Sequence, residues 1–329
     1  MRELGEAVHG RACYGRRVAG PPSDAAFEAL VAPYRSELHA HCYRMLGSVH
    51  DADDALQDAL LGAWRGLAGF EGRSSLRSWL YQIATNACLQ LIARQPRRLL
   101  ATEYRPAAAP DVEMAAPVLE PIWIEPYPHE PSARYEELER VELAFVAALQ
   151  HLPATQRAAL ILCEVLELSA AEAAELLATS VASITSALQR ARASVAERIP
   201  ARSQQATLRE LGEPAQRELV RAFVDAWHRS DADALVALLA KDARFSMPPI
   251  PLWFAGTADI RRFLADRVFA TQWRLVPVRA SGQLAFACYQ GPDFAPGALC
   301  VVTLRGSEIA EMTGFLDPAV HARFRLADR

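Results

Sequence analysis

The sequence predicts a multidomain protein: two all-α units, the second a helix-turn-helix, followed by an α+β domain. Three observations carry this. Apolar residues recur at helical spacing over 24–100 and again over 132–202, and a proline-rich stretch separates the two. Beyond residue 214 the helical period gives way to short β-like runs bounded by turn residues. The chain has 329 residues, and domains run to roughly 100–200 residues, so two or three are expected.

Residues 1–23 form an arm expected to be flexible, since "MRELGEAVHGRACYGRRVAGPP" lacks the apolar core of a signal peptide. Leu30, Pro33, Tyr34, Leu38, Cys42 and Met45 then hold one helical stripe until Gly47. A second helix starts near Asp51 and carries Ala55, Leu56, Ala59, Leu60, Ala63, Trp64 and Leu67. A third runs from about Ser75 to Arg94 through Leu76, Leu80, Ile83, Ala84, Ala87 and Leu91. Residues 101–131 hold seven prolines and six acidic residues against one arginine, Arg105. Proline removes helix and ladder donors and like charges repel, so this is an extended acidic linker. Its apolar "PIWIEPY" is odd for a mere spacer and predicts docking onto a neighbour.

Within 132–202, Ser169 precedes Glu172 by three, a capping box that starts a helix at "SAAEAAELL". The short turn "ATS" follows, and Thr179 or Ser180 can cap the next helix, "SVASITSALQRARASV". Val181, Ile184, Leu188, Ala191 and Val195 form its apolar stripe. Ser183, Thr185, Ser186, Gln189, Arg190 and Arg192 occupy the other faces, and these side-chain types read base edges and phosphates. The pattern suits a helix-turn-helix whose second helix enters the major groove. Spacing alone fits equally a plain helical hairpin with a solvated outer face.

Residues 203–213 read as a second linker. In 214–329, two helices (about 215–229 and 231–240) lead into the runs "ARFSMP", "QWRLVPVRA", "LAFACYQ", "ALCVVTL" and "IAEMTGFL". A helix, "TADIRRFLADRVF", lies between the first two, and Arg305-Gly306-Ser307 marks a hairpin turn. This is an α+β domain with a curved antiparallel sheet.

A net charge of −4 excludes a globally basic nucleic-acid coat, so DNA contact must come from local patches. The six cysteines are scattered without a CxxC pair or His/Cys cluster. They read as buried thiols in a reducing cytosol, with no metal or cofactor. No apolar run approaches a membrane span, so a cytoplasmic location and no membrane partner are expected.

"HDADDALQDALLGAWRGLAGFEGRSSLRSWLYQIATNACLQLIARQPRR" resembles region 2 of extracytoplasmic-function sigma factors, through D-x-D-D-A-x-Q-D, W-R-x-L-x-x-F, S-W-L-Y-x-I-A-x-N and a basic end. "LPATQRAALILCEVLELSAAEAAELLATSVASITSALQRARASV" resembles their region 4. The resemblance implies an alternative sigma factor that binds core RNA polymerase, recognises promoter DNA and initiates transcription. It puts Asp54, Gln57, Asp58 and Trp64 against the polymerase clamp, with region 4 toward the flap. It puts Trp79 and Asn86 beside a flipped minus-ten base, although Trp79 fits a core position equally. Arg73, Arg77, Arg94, Arg97 and Arg98 would follow the melted strand. Thr185, Ser186, Gln189, Arg190 and Arg192 would face the minus-thirty-five element, where this sequence lacks the arginines that relatives carry at Thr185 and Ala187. The linker between the two regions would thread the polymerase cleft toward the RNA exit path.

"VRAFVDAWHRSDADALVALLAKDARFSMPPIPLWFAGTADIRRFLADRV" resembles the SnoaL-like, cone-shaped fold, found as an extension in some members of the group. Phe245, Met247, Trp253, Phe254, Trp273, Tyr289, Met312 and Phe315 would line or cap a pocket open to a small-molecule ligand, or simply form core. The fold's enzymes use a carboxylate base. Asp242, Asp259, Asp293, Glu311 and Asp317 fall in no such motif. The domain therefore reads as regulatory, packing intramolecularly on region 2 or region 4 through Trp253, Phe254 or "FLDPAVHARF". The alternative is a ligand-sensing or ligand-converting enzyme fused to a DNA-binding module.

Overall fold

The computed structural model describes residues 23–128 and 140–328. The expected N-terminal arm and residues 129–139 of the linker and second unit lie outside them, apart from Ser23.

The first unit is built on three long helices. The expected first helix is split in two, α1 (Asp24–Val31) and α2 (Arg35–Leu46), by a 3-10 turn at Ala32–Tyr34. Pro33 lacks the N–H that would continue the ladder. Gly47 ends α2 at φ 73°, a left-handed cap that costs glycine no Cβ clash. Ser48 caps α3 (Val49–Gly66) and Ser75 caps α4 (Leu76–Ile92), each side chain accepting an N–H three residues on. Leu38, Cys42, Met45, Ala52, Ala55, Ala59, Leu80 and Ala84 fill the core between them. Trp64, counted in the apolar stripe of α3, stays 37% exposed.

The linker begins with a single turn, α5 (Ala101–Tyr104), and is then extended. "PIWIEPY" docks as expected, with Trp123, Ile124 and Tyr127 buried. Trp123 bridges Leu99 of the first unit, and Pro128 bridges Ala280 of the last. The linker is therefore sandwiched.

In the second unit, α6 (Leu143–Gln150) precedes α7 (Ala154–Leu160), which runs into a π turn at Ile161–Val165. The helix-turn-helix follows as α8 (Ala170–Leu176) and α9 (Val181–Ala196). The Ser169/Glu172 capping box is formed, and Ser180 caps α9. The turn lacks glycine, so Ala178 takes the left-handed conformation at φ 50°. The buried seam is Ile184, Ala187, Ala191 and Val195; Val181 lies in the exposed first turn, 49% accessible.

Residues 203–213 are not a free tether. α10 (Gln204–His228) starts inside them, broken at Gly212 (φ 74°) just before Pro214. The helix expected to reach residue 240 is only α11 (Ala232–Val236), because the chain from Leu239 joins the sheet. The strands are β1 (Leu239–Met247), β2 (Ile250–Ala255), β3 (Trp273–Ala280), β4 (Gln283–Gln290), β5 (Ala295–Arg305) and β6 (Glu308–Phe315). They are ordered β2-β1-β6-β5-β4-β3. α12 (Thr257–Asp266) follows β2, and α13 (Pro318–Arg323) follows β6. Two expectations are corrected. The sheet is mixed, because β1 runs parallel to β6. β2 was not foreseen: Pro249 and Pro251 hide a strand that proline permits only because it lies at the sheet edge.

Candidate functional site

Asp54, Gln57, Asp58 and Trp64 emerge on one exposed face of α3, the last three lying three, four and ten residues beyond Asp54. Leu61 lies among them, 46% exposed, so an apolar strip is rimmed by carboxylates that form no ion pair among the described residues. Leu61 was missed; an outward leucine among acids was its signal. Two neighbouring acids are used differently. Asp51 is buried against Arg98, and Asp53 accepts from Arg323 at 3.0 Å.

On α4, Asn86 is exposed, while Trp79 is half-buried against Phe70, with ring centroids 4.9 Å apart. Arg73 and Arg94 are exposed. Arg77 forks onto Glu37 at 2.8–3.0 Å and lies over the Tyr81 ring; Arg97 meets His151 Nδ1 at 2.9 Å. Arg98 is a correction. It is buried, pairs with Asp51 and donates to the Trp123 carbonyl at 3.1 Å, so in this arrangement it clamps the linker and cannot reach DNA.

On α9, Thr185, Ser186, Gln189, Arg190 and Arg192 all face outward. Arg192 pairs with Glu164 of the same unit, leaving Arg190 as the unpaired cation of that face among the described residues.

The units are stapled together by buried polar contacts. A helix C-terminus presents orphan carbonyls and negative potential. At the end of α2, Arg157 donates to the Met45 carbonyl and Gln150 Nε2 to the Arg44 carbonyl at 3.3 Å. Arg157 also donates to Gln150 Oε1, and to the Gln150 and Leu152 carbonyls at 3.1 Å each. Burial, then the charge of Arg97, lowers its pKa to about 10, so it remains a cation at neutral pH. Gln82 of α4 donates to the Leu176 carbonyl of α8 at 3.4 Å.

The linker is held from both sides. Towards α2 and α3, Glu125 accepts the Val49 N–H at 2.8 Å, meets His50 Nδ1 at 2.9 Å and gives its carbonyl to the Tyr43 hydroxyl at 2.7 Å. Burial pushes the Glu125 carboxyl up, but His50, Arg98 and the Val49 amide together hold it below the usual range. His50 is correspondingly raised by its hydrogen bond to Glu125. Towards the last domain, Tyr127 exchanges bonds with Ser281, the Ala108 and Val118 N–H groups reach the Trp253 and Pro249 carbonyls, and Trp253 Nε1 donates to the Arg105 carbonyl at 2.7 Å.

The C-terminal segment seals this arrangement. Phe315, Val320, Phe324 and Leu326 share one apolar core with the first unit, and Arg323 reaches Asp53. The expected docking through "FLDPAVHARF" is therefore present. Trp253 meets the linker instead, and Phe254 is core, stacked on Phe263 at 4.1 Å.

The cone forms a cavity of about 890 Å³, lined in part by Phe245, Met247 and Trp273. Trp253, Phe254, Tyr289, Met312 and Phe315 are corrections to that pocket. Side chains alternate across a strand, so Cys288 faces the cavity while Tyr289 points to the other side, its hydroxyl donating to the Leu326 carbonyl at 3.0 Å. Met312 and Phe315 line a narrow cleft beside Leu99 and Ile124. Trp227, Phe263 and the linker's Met114 were missed as lining. No carboxylate among the described residues lines the cavity. Asp242 is held to about 2 by Arg305 at the surface.

An acid-rimmed apolar helix face, a helix-turn-helix with a free polar helix and a linker between them define a promoter-specificity factor of RNA polymerase. Residues 30–98 match Sigma-70 region 2, residues 142–195 match Sigma-70 region 4, and residues 220–312 match a SnoaL-like domain. The chain is 38% identical over 314 residues to the ECF RNA polymerase sigma factor SigG of Mycobacterium tuberculosis, covering 92% of this chain and 84% of that one. It is 32% identical over 171 residues to the ECF RNA polymerase sigma factor SigM of the same species, covering 52% and 76%. The crystal structure of the Mycobacterium tuberculosis extracytoplasmic function sigma factor SigJ shares the fold across 91% of this chain and 98% of that one, with TM-score 0.56 at 22% identity. The chain belongs to the ECF RNA polymerase sigma factor family, whose members are transcription initiation factors and not enzymes. No helix among the described residues is long and apolar enough to cross a membrane.

Proposed function

We propose that this sigma factor, acting in the cytoplasm, captures the clamp of core RNA polymerase with Asp54, Gln57, Asp58, Leu61 and Trp64. It reads the minus-ten element from α4 through Asn86 and Trp79, with Arg73 and Arg94 along the strand, and the minus-thirty-five element from α9 through Thr185, Ser186, Gln189 and Arg190. The linker is the hinge of its regulation. In the resemblance drawn from the sequence it must thread the polymerase cleft, yet here the C-terminal domain holds it by main-chain hydrogen bonds at Ala108, Val118 and Tyr127. That one observation carries the reading: the C-terminal domain and polymerase compete for the same segment.

Asp54→Arg is expected to reduce capture of core polymerase while leaving thermal unfolding unchanged, because Asp54 is exposed and forms no ion pair among the described residues. Capture at the wild-type level would remove the clamp assignment.

Arg190→Ala should weaken minus-thirty-five binding by about 1–3 kcal/mol where the arginine forks onto guanine. Asn86→Ala should change base preference at minus-ten only. Promoter selection from a randomised library reads both, and identical selected sequences for all three proteins would overturn the assignments.

A further inference from the structure

We propose that the cone cavity is a binding site for an apolar anion, and that this ligand fastens α13 and the linker to the cone. The cavity, about 890 Å³, falls within the range of small-molecule sites. Trp227, Phe245, Met247, Phe263 and Trp273 give it an aromatic and thioether wall, which suits a planar or acyl hydrophobic body.

One further observation specifies the polar part of the ligand. Arg267 and Arg325 also line the cavity, both belong to exposed residues, and neither forms an ion pair among the described residues. With no carboxylate in the wall, the electrostatics favour an anion with its apolar body inside and its charge towards these arginines.

The cavity is completed by parts outside the cone. Met114 comes from the linker, and His321, Ala322 and Arg325 come from α13 and the turn after it. The same segment presents Val320, Phe324 and Leu326 to the core shared with region 2, and Arg323 to Asp53. A ligand touching cone, α13 and Met114 together binds the docked arrangement more tightly than an opened one. By linkage it shifts the population towards docking. The binding claim stands on the cavity alone and is independent of the polymerase reading.

The test uses the full chain and two dyes, anilinonaphthalene sulfonate as the aromatic anion and Nile red as its uncharged counterpart. The anion is expected to bind saturably at one site, with energy transfer from tryptophan. Arg267→Glu/Arg325→Glu should weaken the anion by about fivefold, the scale of exposed ion pairs, while leaving Nile red binding and thermal unfolding unchanged. Amide exchange over 318–327 and around Met114 should slow when the anion saturates the site. Unsaturable or multisite anion binding, or equal affinity in the double-arginine variant, would overturn the site. Saturation without added protection at 318–327 would overturn the coupling.

Discussion

Asp51→Ala is expected to destabilise the chain by about 3–5 kcal/mol, the loss that follows when one partner of a buried ion pair is removed. Asp51 is buried in the first turn of α3, and its carboxylate faces the guanidinium of Arg98, itself 6% exposed. Truncation leaves that cation buried. Glu125 at 4.0 Å and the Trp123 carbonyl at 3.1 Å are its remaining listeners, and its Nε already lacks a partner. Asp54→Ala, three residues further on the exposed face, should change stability by less than about 0.5 kcal/mol. The double variant Asp51→Leu/Arg98→Met should recover much of the loss, because replacing a buried pair with apolar side chains is often neutral. Denaturant unfolding of the four proteins reads this. Equal midpoints for Asp51→Ala and wild type would show that the pair does not clamp the linker.

The contrast between Asp51 and Asp54 shows where the sequence was legible. Both acids sit at the start of one amphipathic helix, and local periodicity placed that helix, its neighbours and the capping box at Ser169. Those signals are local: a cap, a stripe, a turn. The same periodicity put Thr185, Ser186, Gln189 and Arg190 on an open face. It could not separate Arg98 from Arg97, since burial of Arg98 depends on Asp51, 47 positions away, and on a linker whose path no pattern encodes. The cone failed for a related reason. Strand alternation decides that Cys288 faces the cavity and Tyr289 does not, but which face closes is decided by α13 and by region 2 behind it. β2 was hidden because proline inside a strand is tolerated at few places, a sheet edge among them, and edge status belongs to the whole sheet. The supposed tether at 203–213 folds as the start of α10, where Ser203 accepts the Ala206 N–H and Glu142, just before α6, accepts the Gln204 and Gln205 N–H groups at 2.9 Å each.

Removing residues 203–329 is expected to produce the largest functional change: more run-off transcript per captured polymerase, with unchanged minus-ten and minus-thirty-five preference. The truncation strips the linker of its partners at Trp253, Pro249 and Ser281. It frees Asp53 from Arg323, one residue before Asp54, which we propose faces the clamp. It also exposes the apolar ground that Val320, Phe324 and Leu326 cover. Region 2 keeps its own hold on the linker through Arg98, Tyr43 and Glu125. The segment therefore loosens without leaving region 2 altogether. Region 4 remains stapled through Arg157 and Gln150, so the gain in transcript should rise again when Gln150→Met weakens that staple in the truncated chain. Limited proteolysis gives an independent reading: cleavage within 105–128 should be slow in the full chain and fast in the truncated one. On the proposed competition for the linker, cleavage rate and transcript yield rise together. A faster cleavage with no gain in transcript would show that linker release is not the limiting step. A fall in transcript with core affinity intact would show that the C-terminal domain supports the productive conformation instead of opposing it.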